Sequence, residues 1–156
     1  MPESSMRRRV VKALWKFDAM PVENSAVPGT PDIEYIGGWI ELKQLPRWPV
    51  DPEGIVRIPT FVRQQRVFHI RRRRAGGSTW FLLQVGREWL LLDGAIAALS
   101  IGRVRRRDLY DLAVHRSTCG LQKKELVECI SRPTKSFCLT GGDVERLRSL
   151  LPANSG

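Results

Sequence analysis

The sequence has 156 residues, 42% of them hydrophobic, so it can bury the core of one domain and is too apolar for a disordered chain. Lysine and arginine number 26 against 16 acidic residues, and the formal charge of +10 favours a polyanionic partner such as a nucleic acid. No apolar run reaches the roughly 18–20 residues of a membrane-spanning helix, and residues 10–15 are flanked by charges unlike a signal peptide, so we expect a cytoplasmic protein without a membrane partner.

A first helix is predicted over residues 6–20, where apolar side chains recur at helical spacing. Ser4 or Ser5 would cap its beginning, and Pro21 would end it. Residues 22–31 contain two prolines and a glycine, which is typical of a loop.

A β-hairpin is predicted next. Residues 32–36 and 39–45 favour strands, and Gly37-Gly38 between them is a turn signal. Residues 46–59 are rich in proline and lack a periodic pattern, so we expect a long loop.

Helices and strands then alternate. A second helix is predicted over residues 60–74, followed by strands over 80–85 and 89–92. Four short helices are predicted in the remainder of the chain: 94–100, 106–114, 121–131 and 141–151.

This order of elements predicts an α/β protein of the α+β type, with a mixed sheet and flanking helices. We expect residues 1–103 to form the core. Residues 104–156 would form a helical C-terminal extension, either packed on that core or appended to it.

The residues that suggest a chemical function lie on the hairpin. Side chains alternate along a strand, so Trp39, Glu41 and Lys43 share one face, and the turn can bring Asp32 next to Glu41. Two close carboxylates repel each other unless a cation lies between them, and Mg²⁺ prefers such oxygen ligands. Lys43 would orient an attacking water or neutralise charge on a phosphate. The alternative is an exposed acid–base pair on a solvated strand, which contributes little.

The segment Pro31-Asp32 followed by Glu41-Leu42-Lys43 resembles the signature of the PD-(D/E)xK nucleases. With Gly29-Thr30 before it, the spacing is most similar to the VRR-NUC and phage Holliday-junction-resolvase branch. Over residues 6–92 the resemblance implies a restriction-endonuclease-like αβββαβ core and hydrolysis of DNA phosphodiesters with Mg²⁺, for which Mn²⁺ would substitute. A phage protein of this kind would work in the cytoplasm of a bacterial host.

The same resemblance assigns roles to residues. Asp32 and Glu41 would be metal ligands, Lys43 the catalytic lysine, and the Leu42 carbonyl a further ligand. Members of the superfamily often have a glutamine on the next helix, and Gln65 fits that position; a tolerated polar residue at a helix edge is the alternative.

The resemblance fails at the first helix, where related enzymes usually have another liganding glutamate. The predicted helix over residues 6–20 has none, and Glu23 is the best substitute, although it is equally well read as a loop carboxylate. The number of metal ions is therefore left open.

Basic residues near the hairpin and the second helix are candidates for phosphate contacts. The DNA-binding candidates are Lys12, Lys16, Arg47, Arg71, Arg72, Arg73 and Arg74. Arginine also clusters at residues 7–9 and 105–107. Trp48 could stack on an unpaired base, although packing on the hairpin is its more ordinary role.

Two further sites are weaker hypotheses. Residues 108–131 could form a helix-turn-helix, although acidic residues on the second helix would oppose phosphates. His115, Cys119, Cys129 and Cys138 could bind zinc, but they lack the usual ligand spacing, and reduced free thiols are the commoner outcome.

Three functions follow from the sequence. The first is a structure-selective, metal-dependent DNA endonuclease. The second is a Holliday-junction resolvase, which would require a homodimer to cut two strands. The third is a non-catalytic basic DNA-binding protein in which Glu41 and Lys43 belong to the surface.

Overall fold

A six-stranded mixed sheet runs through the part of the chain that the computed structural model describes, residues 2–24 and 26–132. The helices are α1 (Pro2–Ala13), α2 (Arg63–Arg74), α3 (Gly94–Ser100), α4 (Arg106–Leu112) and α5 (Lys123–Ser131). The strands are β1 (Met20–Pro21), β2 (Ile33–Tyr35), β3 (Gly38–Leu45), β4 (Ser78–Val85), β5 (Glu88–Asp93) and β6 (His115–Ser117).

The strands lie in the sheet in chain order. β3 and β4 are parallel and joined through α2, whereas the other neighbours pair antiparallel. From α1 to β4 the elements run helix, three strands, helix, strand, although β1 has only two residues. The predicted mixed α/β class is confirmed, and order alone does not identify a family.

Each face of the sheet is covered by a separate apolar cluster. On one face, Met6 and Val10 of α1 and Leu126 of α5 pack against strand residues that include Ile40 and Leu42. On the other face, the segment 56–61 and helices α3 and α4 pack against Phe81 and its neighbours. Because both faces are covered, even the charged residues of β3, Glu41 and Lys43, are buried.

The first helix differs from its prediction. It ends at Ala13 and is followed by a short 3₁₀ turn at Trp15–Phe17, so Ser4 and Ser5 lie inside the helix. Asp18 adopts a left-handed conformation with φ 54°, which ends the helical path. The backbone then pairs with β2, which makes Met20–Pro21 a strand.

The hairpin forms with its turn one residue earlier than predicted, at residues 36–37. Gly38 begins β3 and lies against β4, where a Cβ would come within 2.2 Å of the Ser78 carbonyl oxygen. Glycine is therefore required at 38 for the close approach of two strands rather than for the turn itself.

Residues 104–132 contribute more than helices. β6 lies between α4 and α5 and pairs with β5 at the edge of the sheet, so the helix-turn-helix prediction for residues 108–131 is wrong. A strand that pairs with the sheet replaces the tight turn which that motif needs. The predicted helix at 141–151 lies outside the described residues.

No helix among residues 2–24 and 26–132 is both long and apolar enough to cross a membrane.

Candidate active site

Two carboxyl groups meet where the pairing of β2 and β3 ends. The last pair is Ile33 with Ile40, so the same register sets Asp32 opposite Glu41. Asp32 Oδ2 accepts a hydrogen bond from the backbone N–H of Leu42 at 2.8 Å, which fixes the carboxylate beside β3. The carboxyl groups of Asp32 and Glu41 are close enough to hydrogen-bond when Glu41 is protonated.

Glu41 is completely buried, at 0% exposure. Its Oε1 accepts hydrogen bonds from Lys43 Nζ at 2.8 Å and from Gln65 Nε2 at 2.6 Å. Its Oε2 is buried and has no hydrogen-bond partner within the described part of the chain. A buried carboxylate oxygen without a partner is costly, so this atom is a candidate ligand atom.

The electrostatics of the pair favour a bound proton or an added cation. Burial, and after it the nearby charge of Asp32, raise the pKa of Glu41 to about 8, although Lys43 opposes both effects. One ammonium group therefore does not offset the burial of Glu41 together with its neighbouring carboxylate.

Gln65 is held in place by the start of α2. The first residue before the helix, Val62, has no polar side chain to cap it, and Gln65 Oε1 accepts the Val62 N–H at 3.0 Å instead. This contact directs the amide nitrogen of Gln65 to Glu41. The glutamine is thus a helix cap and a donor to the site at once.

Arg7 of α1 is the residue of the first helix that contacts Asp32. Its guanidinium donates to Asp32 Oδ1 at 3.0 Å and lies 3.9 Å from Glu23 Oε1. The Glu23 side chain is 90% exposed, and this structure links it to Asp32 through Arg7. From the sequence, Arg7 was named only within the arginine cluster at residues 7–9 and was not assigned to the site.

His69 is a second residue that sequence reasoning missed. It lies one turn after Gln65 on α2, is completely buried, and has no hydrogen-bond partner on either ring nitrogen among the described residues. Burial, and after it the charge of Lys43, lower the pKa of His69 to about 4, so the ring is neutral at physiological pH. Gly94 makes room for it, since a Cβ there would lie 2.2 Å from His69 Nδ1.

Few groups could hold a metal ion. Among residues 2–24 and 26–132, no group of three or more His, Cys, Asp or Glu side chains is arranged to do so, which leaves the zinc hypothesis without support there. Cys119 and Cys129 are free thiols, and Cys138 lies outside the described residues.

Asp32 and Glu41 are a pair of oxygen donors, and the Leu42 carbonyl adds a third. The N–H and C=O of one strand residue point to the same side, so this carbonyl faces the side on which Asp32 binds the Leu42 N–H. Magnesium is commonly held by one or two carboxylates, with water and phosphate completing the shell, and the three donors fit that pattern.

The basic candidates fall into two groups. Those whose side chains are exposed are Lys12, Lys16, Arg47, Arg71, Arg72 and Arg74. Arg73 differs, because it is buried and paired with Asp93 Oδ2 at 2.7 Å and with the Gly77 carbonyl at 3.0 Å. Arg73 therefore stabilises the fold and is not a candidate for a phosphate contact.

The arginine block at 105–107 is largely neutralised within the protein. Arg105 contacts Asp108 and Glu53, Arg107 contacts Glu53, and Arg106 contacts Glu88.

Trp48 belongs to the same region as that block. It donates to Glu88 at 3.2 Å, packs edge-on against Tyr110 and lies under the guanidinium of Arg106. Its role is to anchor the proline-rich loop, on α4 rather than on the hairpin.

Comparisons with protein-family models, with curated proteins and with solved structures gave no match for this chain. The functional argument therefore depends on the site.

Proposed function

We propose that this chain is a metal-dependent endonuclease that hydrolyses DNA phosphodiester bonds at Asp32, Glu41 and Lys43. The observation that carries the proposal is the Glu41 carboxyl group. It is completely buried, lies against a second carboxylate, and keeps one oxygen without a partner in the described part of the chain. Strongly shifted pKa values of this kind cluster at functional sites.

A divalent cation suits the acidic pair. Mg²⁺, or Mn²⁺ in its place, would be held by Asp32, Glu41 and the Leu42 carbonyl. When bound, such an ion polarises a phosphodiester and lowers the pKa of a water molecule.

Lys43 then has a defined task. Its ammonium group has three protons, and the 2.8 Å contact with Glu41 uses one of them. The others can orient the attacking water or a phosphate oxygen, where negative charge grows during hydrolysis. Gln65 holds Glu41 Oε1 and so fixes the direction of Oε2.

Arg7 adds a positive charge to the first helix. Its contact with Asp32 Oδ1 at 3.0 Å holds that carboxylate in place, with the Leu42 N–H on the other oxygen. The number of acidic ligands is therefore two, which favours a one-metal site over a two-metal site.

The test is cleavage of three DNA substrates by wild type and matched variants. Supercoiled plasmid, a labelled flap and a four-way junction are incubated with Mg²⁺, Mn²⁺ or EDTA. Lys43→Ala and Glu41→Gln are the test variants. Glu34→Gln is the control, since Glu34 is exposed on the neighbouring strand β2.

We expect metal-dependent cutting by wild type and by Glu34→Gln. Lys43→Ala and Glu41→Gln should lose at least about a hundredfold in rate, the size of a lost electrostatic contact to the transition state. Thermal unfolding of each variant shows whether it is folded.

Two other outcomes would each support one of the alternative functions. Paired nicks on the junction by a protein of dimeric mass would point to a Holliday-junction resolvase. DNA binding without cutting, equal in wild type and Lys43→Ala, would overturn the enzyme proposal and leave a non-catalytic DNA-binding protein.

A further inference from the structure

A pocket of about 360 Å³ opens at the surface beside α2. The loop that leads to Asp32 forms one wall, with Val27 and Pro28, and α2 forms the other. The residues of α2 that line it are Arg63, Gln64, Val67, Phe68 and Arg71.

The pocket is next to the candidate active site on both walls. Gln64 precedes Gln65, which donates to Glu41 from the other side of the helix. The opposite wall continues through Gly29 to Asp32, only a few residues along the chain. The same helix and the same chain segment therefore carry both the pocket and the candidate catalytic residues.

Hydrogen bonds connect the described residues of the loop wall. Asn24 Oδ1 accepts hydrogen bonds from the N–H groups of Ala26 and Val27 at 3.0 and 3.1 Å, and Thr30 donates to the Val27 carbonyl at 2.8 Å. Gly29 lies directly on the helix, where a Cβ would be 2.5 Å from the Gln64 carbonyl carbon. These contacts preform the cavity.

The lining combines apolar surface with positive charge. Val27 on the loop wall and Val67 on α2 are each 51% exposed and supply the apolar surface. None of the described residues that line the pocket is acidic, and Arg63 and Arg71 are exposed at its two ends. Eight residues separate these arginines, on the order of 12 Å along a helix, so they would contact different phosphates.

We propose that this pocket receives an unpaired nucleobase of the DNA strand that is cut, with Arg63 and Arg71 on the phosphates to either side. The inference rests on the proposed nuclease function and names its substrate class, DNA with unpaired nucleotides next to the scissile bond. A nucleotide carries an apolar ring and an anionic linkage, which match the two parts of the lining. A base inside a duplex is stacked on both faces, so only an unpaired or extruded base can enter.

The experiment measures binding rather than cleavage. A fluorescein-labelled flap and a fully paired duplex of the same length are titrated in EDTA and followed by anisotropy. The test variants are Val67→Asp and Val27→Asp, which place a negative charge on either wall. The control is Val114→Asp, since Val114 is 52% exposed and lies outside the pocket.

We expect Val67→Asp and Val27→Asp to weaken binding of the flap about tenfold, because each places a carboxylate where the apolar base would bind. The paired duplex should lose less than about twofold, which is the smaller effect expected from added charge alone. Val114→Asp should change neither affinity. Two variants on separate walls keep the test decisive if one of them fails to fold.

The two proposals fail in different ways. Equal losses on flap and duplex, or no loss on either, would overturn the pocket inference while cleavage by wild type still supported the nuclease. Selective loss on the flap by a protein that never cuts DNA would support the pocket and overturn the nuclease.

Discussion

The side chain of Glu41 lies in an environment that is unfavourable for a charged group. It has no exposed surface, shares its surroundings with Asp32, and keeps an unpartnered oxygen in the described structure. Replacing such buried charges with apolar groups is often neutral or stabilising, so stability does not account for them. A role in binding a cation gives a physical reason for this arrangement.

The raised pKa of Glu41 makes stability depend on pH. The carboxyl loses its proton near the ordinary value of 4.5 when unfolded and at about 8 when folded. Between those values the folded state binds more protons, so the free energy of unfolding should fall as the pH rises and level off above about 8. Urea denaturation from pH 5 to 9 measures this slope.

Glu41→Gln should flatten the slope and raise stability at pH 8.5 relative to wild type. Glu34→Gln, on an exposed position of β2, should leave the slope unchanged. Added Mg²⁺ should stabilise wild type most at high pH, where Glu41 is ionised, and should have little effect on Glu41→Gln. Parallel pH profiles for wild type and Glu41→Gln would contradict this account of the site.

The helical repeat of α2 places its residues on two faces with different surroundings. Gln65, His69 and Arg73 are four residues apart and face the sheet, where they contact or adjoin buried groups. The positions 63, 67 and 71 form a second line, which faces the pocket. One helix thus carries both the support of Glu41 and the proposed DNA contacts.

This spacing also separates the four arginines at the end of α2. In the sequence Arg71 to Arg74 look equivalent. In the structure Arg73 lies one turn after His69 on the face of α2 toward the sheet, where it is paired with Asp93. The burial of Arg73 could have been predicted once Gln65 was assigned to the inner face.

The contact between the loop and α2 predicts a difference between two glycines. Gly29 has φ +86° and would clash with the Gln64 backbone if it carried a Cβ, whereas Gly76 has φ +90° and nothing within 4 Å. Gly76→Ala should lower the free energy of unfolding by about 1–2 kcal/mol through backbone strain alone. Gly29→Ala should cost roughly 1–3 kcal/mol more, because the loop must also move.

Chemical denaturation of the two glycine variants measures the difference. Similar losses of stability would mean that the loop does not pack on α2 as described. A larger loss in Gly29→Ala, accompanied by weaker binding of the flap, would link the loop to the pocket.

The positively charged side chains of the protein are not all available to bind a partner. The net charge is +10, but Arg73 and the block at 105–107 are paired with internal carboxylates. The arginines at the exposed end of α2 are better placed for phosphates. The charge that suggests nucleic acid therefore acts from one region of the surface more than from others.

The salt dependence of DNA binding should reflect this division. Arg74→Ala should reduce the slope of log K against log salt by about 0.9 on duplex DNA, the value for one lost phosphate contact. Arg106→Ala should leave the slope unchanged, since Arg106 is paired with Glu88 at 2.8 Å, and should lower thermal stability instead. Titrations between about 50 and 200 mM salt measure both slopes. Equal changes of slope in Arg74→Ala and Arg106→Ala would contradict this division, because the two arginines would then contribute alike to DNA binding.

Local patterns in the sequence determined the mixed α/β class, the hairpin, and the alternation that places Glu41 and Lys43 on one face. Each of these depends on residues close together in the chain, whose spacing fixes the direction of side chains. The tertiary structure alone decided that Glu41 is fully buried, that Arg7 contacts Asp32, and that β6 is a strand. Those features depend on contacts between distant segments: a three-residue strand forms because β5 supplies its hydrogen bonds, and a carboxyl is buried because helices cover both faces of the sheet.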